Sequence, residues 1–147
     1  EELKVGQVVK IREGEFFPAD LLLIQSSGKD GICYVETKSL DGETNLKNKF
    51  TPKLLQKIDG SVSCEGPNKD IYKFDGTYTS VEGNKIPLTN DNVLLRGMSL
   101  KNTDSCQGIV LYTGHESKLL MNSAAARYKI SKVMKTTYKS ILIIIFL

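Results

Sequence analysis

The chain has 147 residues, a length that predicts one compact domain. Hydrophobic residues make up 40% of it and charged residues 25%, the usual balance of a folded globular protein, which argues against disorder and against a coiled coil. The net charge of +3 is small, and aromatic residues are not interleaved with basic ones, so no nucleic-acid partner is expected.

The cysteines and the single histidine are too scattered to predict a metal site. Cys33, Cys64 and Cys106 lie far apart in the sequence, and none of them forms a close pair of the kind that zinc sites use. His115 is the one histidine. We therefore expect three reduced, mostly buried thiols in a reducing compartment and no structural metal.

Residues 3–112 have the pattern of short strands separated by turns. We predict strands at 8–12, 19–25, 32–37, 61–64, 71–78, 92–96, 98–101 and 108–113, and a loop at 39–44. The turn signal Asp75-Gly76 falls inside the 71–78 stretch, which is therefore either one strand or a hairpin. Many short strands at this spacing predict a mainly β, sandwich-like or barrel-like antiparallel core.

After Gly114 the pattern becomes helical. One face of the predicted helix is apolar and another is basic, as in an amphipathic helix; the apolar positions are Ile130, Val133, Met134, Tyr138 and Ile141, and the basic ones are Lys129, Lys132, Lys135 and Lys139. Arg127 and these lysines come just before an apolar run at 141–147, as the positive-inside bias predicts for a cytoplasmic segment that enters a membrane.

The apolar run at 141–147 is too short to cross a bilayer, which needs about 20 residues. The chain also starts at Glu1 without an initiator methionine, so we expect it to be part of a longer protein. We predict a β-rich domain at 1–116, and at 117–147 a linker helix that leads into the start of a transmembrane helix. A short core strand or a helix end is the alternative for the run, and an ordinary surface helix with a solvated lysine face is the alternative for the predicted linker helix.

The stretch from Ser39 to Lys47 holds the residues best suited to chemistry. Asp41 and Glu43 flank Gly42, where the backbone can take a conformation closed to other residues and approach a partner closely. A carboxylate held on such a turn suits a general base or a group that positions water, and Thr44 follows directly. An Asp-Gly surface turn without any catalytic role has the same spacing, so the pattern alone leaves both interpretations open.

Other catalytic arrangements are disfavoured. The sequence contains neither the phosphate-binding loop of the Gly-x-x-x-x-Gly-Lys type nor a dinucleotide-binding fingerprint. A nucleophile activated by histidine would need His115, and no carboxylate is specifically placed to orient it.

Several blocks of the sequence, in order, resemble the actuator domain of type IV P-type ATPases, the phospholipid flippases. The blocks are Phe17 to Leu23, Asp30 to Thr37, Leu40 to Lys47, Cys64 to Asn68, Tyr72 to Gly76, Leu94 to Gly97 and Tyr112 to Leu119. Other P-type pumps have Thr-Gly-Glu-Ser at the place of Asp41 to Thr44, and the Asp-Gly-Glu-Thr version is typical of the lipid pumps. The resemblance implies a distorted jelly-roll or sandwich-like actuator fold.

The resemblance also implies a mechanism. In such pumps an aspartate on a separate phosphorylation domain becomes an acyl phosphate, and the actuator domain rotates so that its loop glutamate aligns the hydrolytic water. That role would fall to Glu43, with Asp41 and Thr44 shaping the loop and Gly42 permitting close backbone approach. Rotation would then pass through linkers to the membrane helices.

The remaining expectations follow from the same resemblance. The partners would be the phosphorylation and nucleotide-binding domains of the same chain, a membrane phospholipid and an accessory membrane subunit. This domain would lie on the cytosolic side of the membrane. ATP and magnesium would bind elsewhere in the full-length pump, and the fragment alone would not be catalytically competent. Two alternatives are a regulatory or scaffold module fused to another activity, such as a guanylate cyclase, and a free-standing interaction domain.

Overall fold

The computed structural model of the chain describes residues 2–53, 59–122 and 141–144. The strands are β1 (Val8–Arg12), β2 (Asp20–Ser26), β3 (Ile32–Glu36), β4 (Lys47–Phe50), β5 (Ser61–Cys64), β6 (Gly76–Thr79), β7 (Lys85–Leu88), β8 (Val93–Leu94), β9 (Ser99–Lys101), β10 (Ser105–Tyr112) and β11 (Ile141–Ile144). One α-helical turn, α1, spans Lys38–Asp41, and 3₁₀ turns lie at Lys29–Gly31, Asn90–Asn92 and Gly114–Glu116. Residues 118–122 are helical.

The strands form three antiparallel sheets. Their strand orders are β1-β10-β2-β8, β4-β3-β9 and β11-β5-β6-β7. The long strand β10 lies inside the first sheet, where Ile109 is opposite Val8 of β1 and Leu22 of β2. The predicted mainly β, sandwich-like fold is confirmed, and none of these sheets closes into a barrel within the described part of the chain.

The three sheets share one apolar core. In β3 the residues alternate, with Cys33 and Val35 fully buried and Tyr34 exposed, because one face of that strand meets the core. The first four residues of β2 are all buried, since both faces of that strand are covered. As predicted, all three cysteines are free and buried. Burying each large apolar side chain contributes about 1.5–3 kcal/mol to stability.

The middle of the chain differs from the sequence prediction. The predicted strand at 71–78 begins only at Gly76, because residues 65–75 form an irregular segment between β5 and β6. Gly76 is not at a turn: it pairs with Cys64 and Leu88, and a Cβ there would lie 2.9 Å from the Phe74 ring. A glycine is needed here for close packing. The strands β4 and β7 were not predicted at all.

The end of the chain also differs. The helical conformation at 118–122 agrees with the expected start of a linker helix, whereas residues 123–140, which carry most of its predicted apolar and basic faces, lie outside the described residues. Ile141–Ile144 form a strand that pairs with β5, and not the helix that we predicted. A run of β-branched residues favours a strand, and β5 offers it a free edge. The predicted boundary at 116/117 stays a prediction.

Candidate functional site

The predicted site loop contains a helical turn, not the irregular loop that the sequence predicted. After β3 the chain makes the turn α1, and Gly42 ends it with φ of 74°. The Gly42 N–H donates a 2.9 Å hydrogen bond to the Lys38 carbonyl. A left-handed residue is a common way to end a helix, and glycine adopts it without steric cost. Gly42 therefore sends the chain sharply away from α1 toward Glu43.

Asp41 holds this turn together. Its Oδ1 accepts a hydrogen bond of 2.9 Å from the Thr37 hydroxyl and another of 2.9 Å from the Glu43 backbone N–H. Partial burial raises the pKa of the Asp41 carboxyl, but these two hydrogen bonds outweigh it and keep the pKa below its usual value. Asp41 is thus an ionised acceptor that shapes the loop, and its Oδ1 is already engaged.

Glu43 lies at the tip of the loop. Its carboxylate forms an ion pair with the Lys47 ammonium, and each side chain keeps almost half of its surface exposed, 47% and 43% respectively. Ion pairs at such exposed positions are weak, so Glu43 can exchange Lys47 for another partner. Gly42 and Thr44 beside it are exposed as well. The loop therefore presents Gly42, Glu43 and Thr44 outward, while Asp41 stays attached to the domain.

Substituting Gly42 tests the backbone requirement. A Cβ at Gly42 would meet no other atom within 4 Å, so only the positive φ opposes a side chain. We expect Gly42→Ala to lower the free energy of unfolding of this chain by about 1–2 kcal/mol, and Gly42→Asn by less, because asparagine tolerates this conformation better. Urea unfolding measures both. Equal stability of the alanine variant and the wild type would contradict the expectation.

A cleft of about 230 Å³ opens beside the loop, lined among others by Asp41, Tyr72, Lys49 and Asn90. Lys49 is 5% exposed, and its ammonium donates a 2.7 Å hydrogen bond to the Asn90 carbonyl. Burial lowers the pKa of Lys49. The Asn90 side-chain oxygen is buried without a hydrogen-bond partner among the residues that the structure describes. The lining of the cleft therefore combines these polar groups with the apolar side chains of Leu40, Ile71 and Met98, and its polar part can bind ordered water.

Lys118 forms a second polar cluster that the sequence did not predict. Its side chain is completely buried, and its ammonium donates hydrogen bonds of 2.8 Å to Asn68 Oδ1, 2.5 Å to the Asp70 carbonyl and 3.1 Å to the Lys73 carbonyl. Glu65 Oε1 lies 3.4 Å away. A buried ammonium needs such acceptors to offset its lost hydration. Lys118 therefore ties residues 65–73 to the body of the domain.

Asp20 connects the helical start at Lys118 to the first sheet. It is completely buried at the beginning of β2. Its Oδ1 accepts a 2.9 Å hydrogen bond from the Arg96 N–H, and its Oδ2 accepts one of 2.7 Å from the Lys118 N–H. Burial raises the pKa of Asp20 to about 6, against the lowering effect of the two N–H donors.

This pKa makes stability depend on pH. Because the folded-state pKa of Asp20 is above the ordinary value of 3.8, the folded chain binds a proton more tightly than the unfolded chain does. The resulting stabilisation is complete below about pH 4 and is lost as the pH rises through about 6, a change of up to about 3 kcal/mol. In urea unfolding, we expect the stability of the wild type relative to Asp20→Asn to fall across this range. A constant difference would contradict it.

Within 2–53, 59–122 and 141–144, no three His, Cys, Asp or Glu side chains are grouped so that they could hold a metal ion. In the same part of the chain, no helix combines the length and the apolar character needed to cross a bilayer.

The β-rich fold agrees with the comparisons to known proteins. Residues 1–126 match the family described as the P-type ATPase actuator domain, and the chain belongs to that family.

The curated relatives are lipid pumps by name. The chain is 44% identical over 144 residues to human phospholipid-transporting ATPase VA, covering 90% of this chain and 9% of that protein. It is 45% identical over 143 residues to probable phospholipid-transporting ATPase 7 of Arabidopsis thaliana, covering 91% and 11%. Phospholipid-transporting ATPase C887.12 of Schizosaccharomyces pombe is 42% identical over 154 residues, covering 98% and 12%. The chain thus spans 9% to 12% of the length of these three relatives.

Proposed function

We propose that this chain is the dephosphorylation module of an ATP-driven phospholipid translocase, in which Glu43 positions the water that hydrolyses an aspartyl phosphate. Membership of the actuator family and the names of the relatives support the class of protein. The observation that carries the role of Glu43 is its place at an exposed tip, beyond a glycine turn that Asp41 holds in shape. Such a carboxylate can act on a group that another domain supplies.

The chemistry asks little more of the loop than positioning. The attacking water must lie in line with the phosphoryl group and lose a proton as it attacks, and a carboxylate beside it can orient it and accept that proton. Gly42 adds no side chain at the tip, so the backbone can approach the phosphoryl group closely. When bound elsewhere in the full-length protein, ATP supplies the phosphoryl group and magnesium balances its charge. We expect the residues of this chain to bind neither.

We further propose that the domain works on the cytosolic side of a membrane and transmits its movement through residues 117–147. Asp20 supports this coupling, because it holds the first helical N–H at Lys118 with one oxygen and the Arg96 N–H with the other. A helix attached in this way moves together with the first sheet. The partners would be the phosphorylation and nucleotide-binding domains, the transported phospholipid and an accessory membrane subunit.

The test follows the phosphoenzyme in the full-length protein that contains this chain. The protein is labelled with ATP carrying radioactive phosphate at its γ position and then chased with unlabelled ATP, and loss of protein-bound label is timed. Label that hydroxylamine releases is acyl phosphate. We expect the wild type to form and lose this label, and Glu43→Gln to form and retain it. Label that never forms in the wild type, or that disappears equally fast in both proteins, would overturn the proposal.

A further inference from the structure

We propose that Tyr72 is a positioning residue for the candidate catalytic loop: its hydroxyl orients the Asp41 carboxylate, and the buried Lys118 ammonium holds the segment that delivers Tyr72. The inference rests on the proposed function, because the loop that it concerns is the one that would meet the phosphorylated partner.

Tyr72 reaches the loop from a distant part of the sequence. It lies in the irregular segment between β5 and β6, and its side chain is 63% exposed although it is a large aromatic residue. Its hydroxyl donates to Asp41 Oδ2 at 3.5 Å. Desolvation and the negative charges of Asp41 and Glu43 raise the pKa of Tyr72, so the hydroxyl stays protonated and can donate. Because most of the Tyr72 ring is exposed, burial of apolar surface does not explain why the side chain lies here. Its contact with the loop does.

The two oxygens of Asp41 have different partners. Oδ1 accepts from the Thr37 hydroxyl and from the Glu43 N–H, and Tyr72 is the donor to Oδ2 among the described residues. A donor at the second oxygen fixes the rotation of the carboxylate about its bond to Cβ, and with it the direction of the bond to Glu43. The 3.5 Å separation is at the outer limit of a hydrogen bond. Hydrogen bonds of this kind commonly shorten when the reacting complex forms.

The backbone around Tyr72 is fixed on both sides. The Tyr72 N–H donates a 2.9 Å hydrogen bond to Asp70 Oδ1. Lys118 donates to the carbonyl of Asp70 on one side and to that of Lys73 on the other. Since these acceptors bracket Tyr72, a single buried ammonium sets where its side chain leaves the backbone. Because Lys118 begins the helical residues 118–122, the same group connects the linker helix with the loop.

The experiment uses the full-length protein and the phosphoenzyme decay described above, with Tyr72→Phe as the variant. This change removes the hydroxyl and keeps the ring. The variant loses one hydrogen bond from a neutral hydroxyl to a carboxylate. We therefore expect the phosphoenzyme to decay roughly 3- to 10-fold more slowly and to form at an unchanged rate. Without the donor the pKa of Asp41 rises, so the acid side of the pH profile of decay moves to higher pH. A purely structural role would slow formation and decay together and leave the profile in place.

Two parallel variants separate the possible failures. Tyr34→Phe removes a hydroxyl from another exposed tyrosine, on β3, and is expected to decay like the wild type. Glu43→Gln tests the proposed function itself. If Glu43→Gln retains its label while Tyr72→Phe decays normally with an unshifted pH profile, the role of Tyr72 is wrong and the proposed function stands. If the Glu43→Gln phosphoenzyme also decays at the wild-type rate, both the proposed function and the role of Tyr72 are wrong. Normal decay of Tyr72→Phe together with slow decay of Tyr72→Leu would assign the ring to domain contact and also overturn the inference.

Discussion

Glu43→Gln is expected to slow hydrolysis of the phosphoenzyme by roughly 10²–10⁴-fold in the full-length protein, the range that a positioned general base contributes. Glutamine keeps the size and the hydrogen-bonding reach of the side chain but cannot accept the proton of the attacking water. Formation of the phosphoenzyme should be unaffected, because Glu43 enters only when the water attacks. Timing the loss of the acyl-phosphate label measures the effect directly.

Matched controls separate proton acceptance from the other properties of Glu43. Glu43→Gln also breaks the ion pair with Lys47. Lys47→Met breaks that ion pair but leaves the Glu43 carboxylate in place, so its phosphoenzyme should decay at nearly the wild-type rate. Glu82→Gln removes the same charge from an exposed residue before β7 and should behave like the wild type. If Lys47→Met were as slow as Glu43→Gln, the ion pair and not the carboxylate would be the important feature.

Lys118→Met is expected to lower the free energy of unfolding of this chain by about 3 kcal/mol or more. Methionine occupies similar space and removes the ammonium, which leaves acceptors on Asn68, Asp70 and Lys73 without their donor. Each buried polar group that loses its partner costs about 1–3 kcal/mol. This loss of stability exceeds the gain from no longer burying a charge, because water cannot readily replace the lost donor at a completely buried position. Urea unfolding followed by circular dichroism measures it.

Lys69→Met is the control, since Lys69 is exposed in the same segment. Substitutions at exposed positions usually change stability by less than about 0.5 kcal/mol. If both lysine variants unfolded at the same urea concentration, Lys118 would not be the anchor of residues 65–73. The difference between them therefore isolates the buried hydrogen bonds from the general effect of removing a positive charge.

The strands that the sequence predicted well are those whose apolar residues decide the pairing. β1 and β5 have the predicted bounds, and β2, β3, β9 and β10 lie within a few residues of them. β4 was missed because three of its four residues are polar or charged, and the residue that it buries is Lys49. β7 contains Pro87, which is tolerated because this strand lies at the edge of its sheet. Charged residues and proline therefore do not exclude a strand where pairing with neighbouring strands supplies the stability.

The candidate site was predictable only in part. The Asp41-Gly42-Glu43 spacing indicated a tight turn that presents a carboxylate, and such a turn is present. Its helical character was missed because only four residues take part, too few to produce a periodic pattern. The contributions of Tyr72 and Lys118 were also missed, since they meet the loop and its supporting segment across 31 to 53 residues of sequence. A local sequence pattern cannot predict contacts between residues so far apart. Lysine is also usually exposed, so the sequence did not indicate that Lys118 is buried.

The attachment of Lys118 to Asp20 determines how mechanical load would enter the domain. A pull along residues 118–122 passes along the backbone into β10 and, through the hydrogen bond from Lys118, into the first residue of β2. Both strands have hydrogen-bonded neighbours on both sides. An outermost strand could be unzipped one hydrogen bond at a time, whereas a strand enclosed by two others shares the tension among many bonds at once. If residues 117–147 transmit movement as proposed, the domain would turn as one stiff body when they are pulled and would not unfold at the point of attachment.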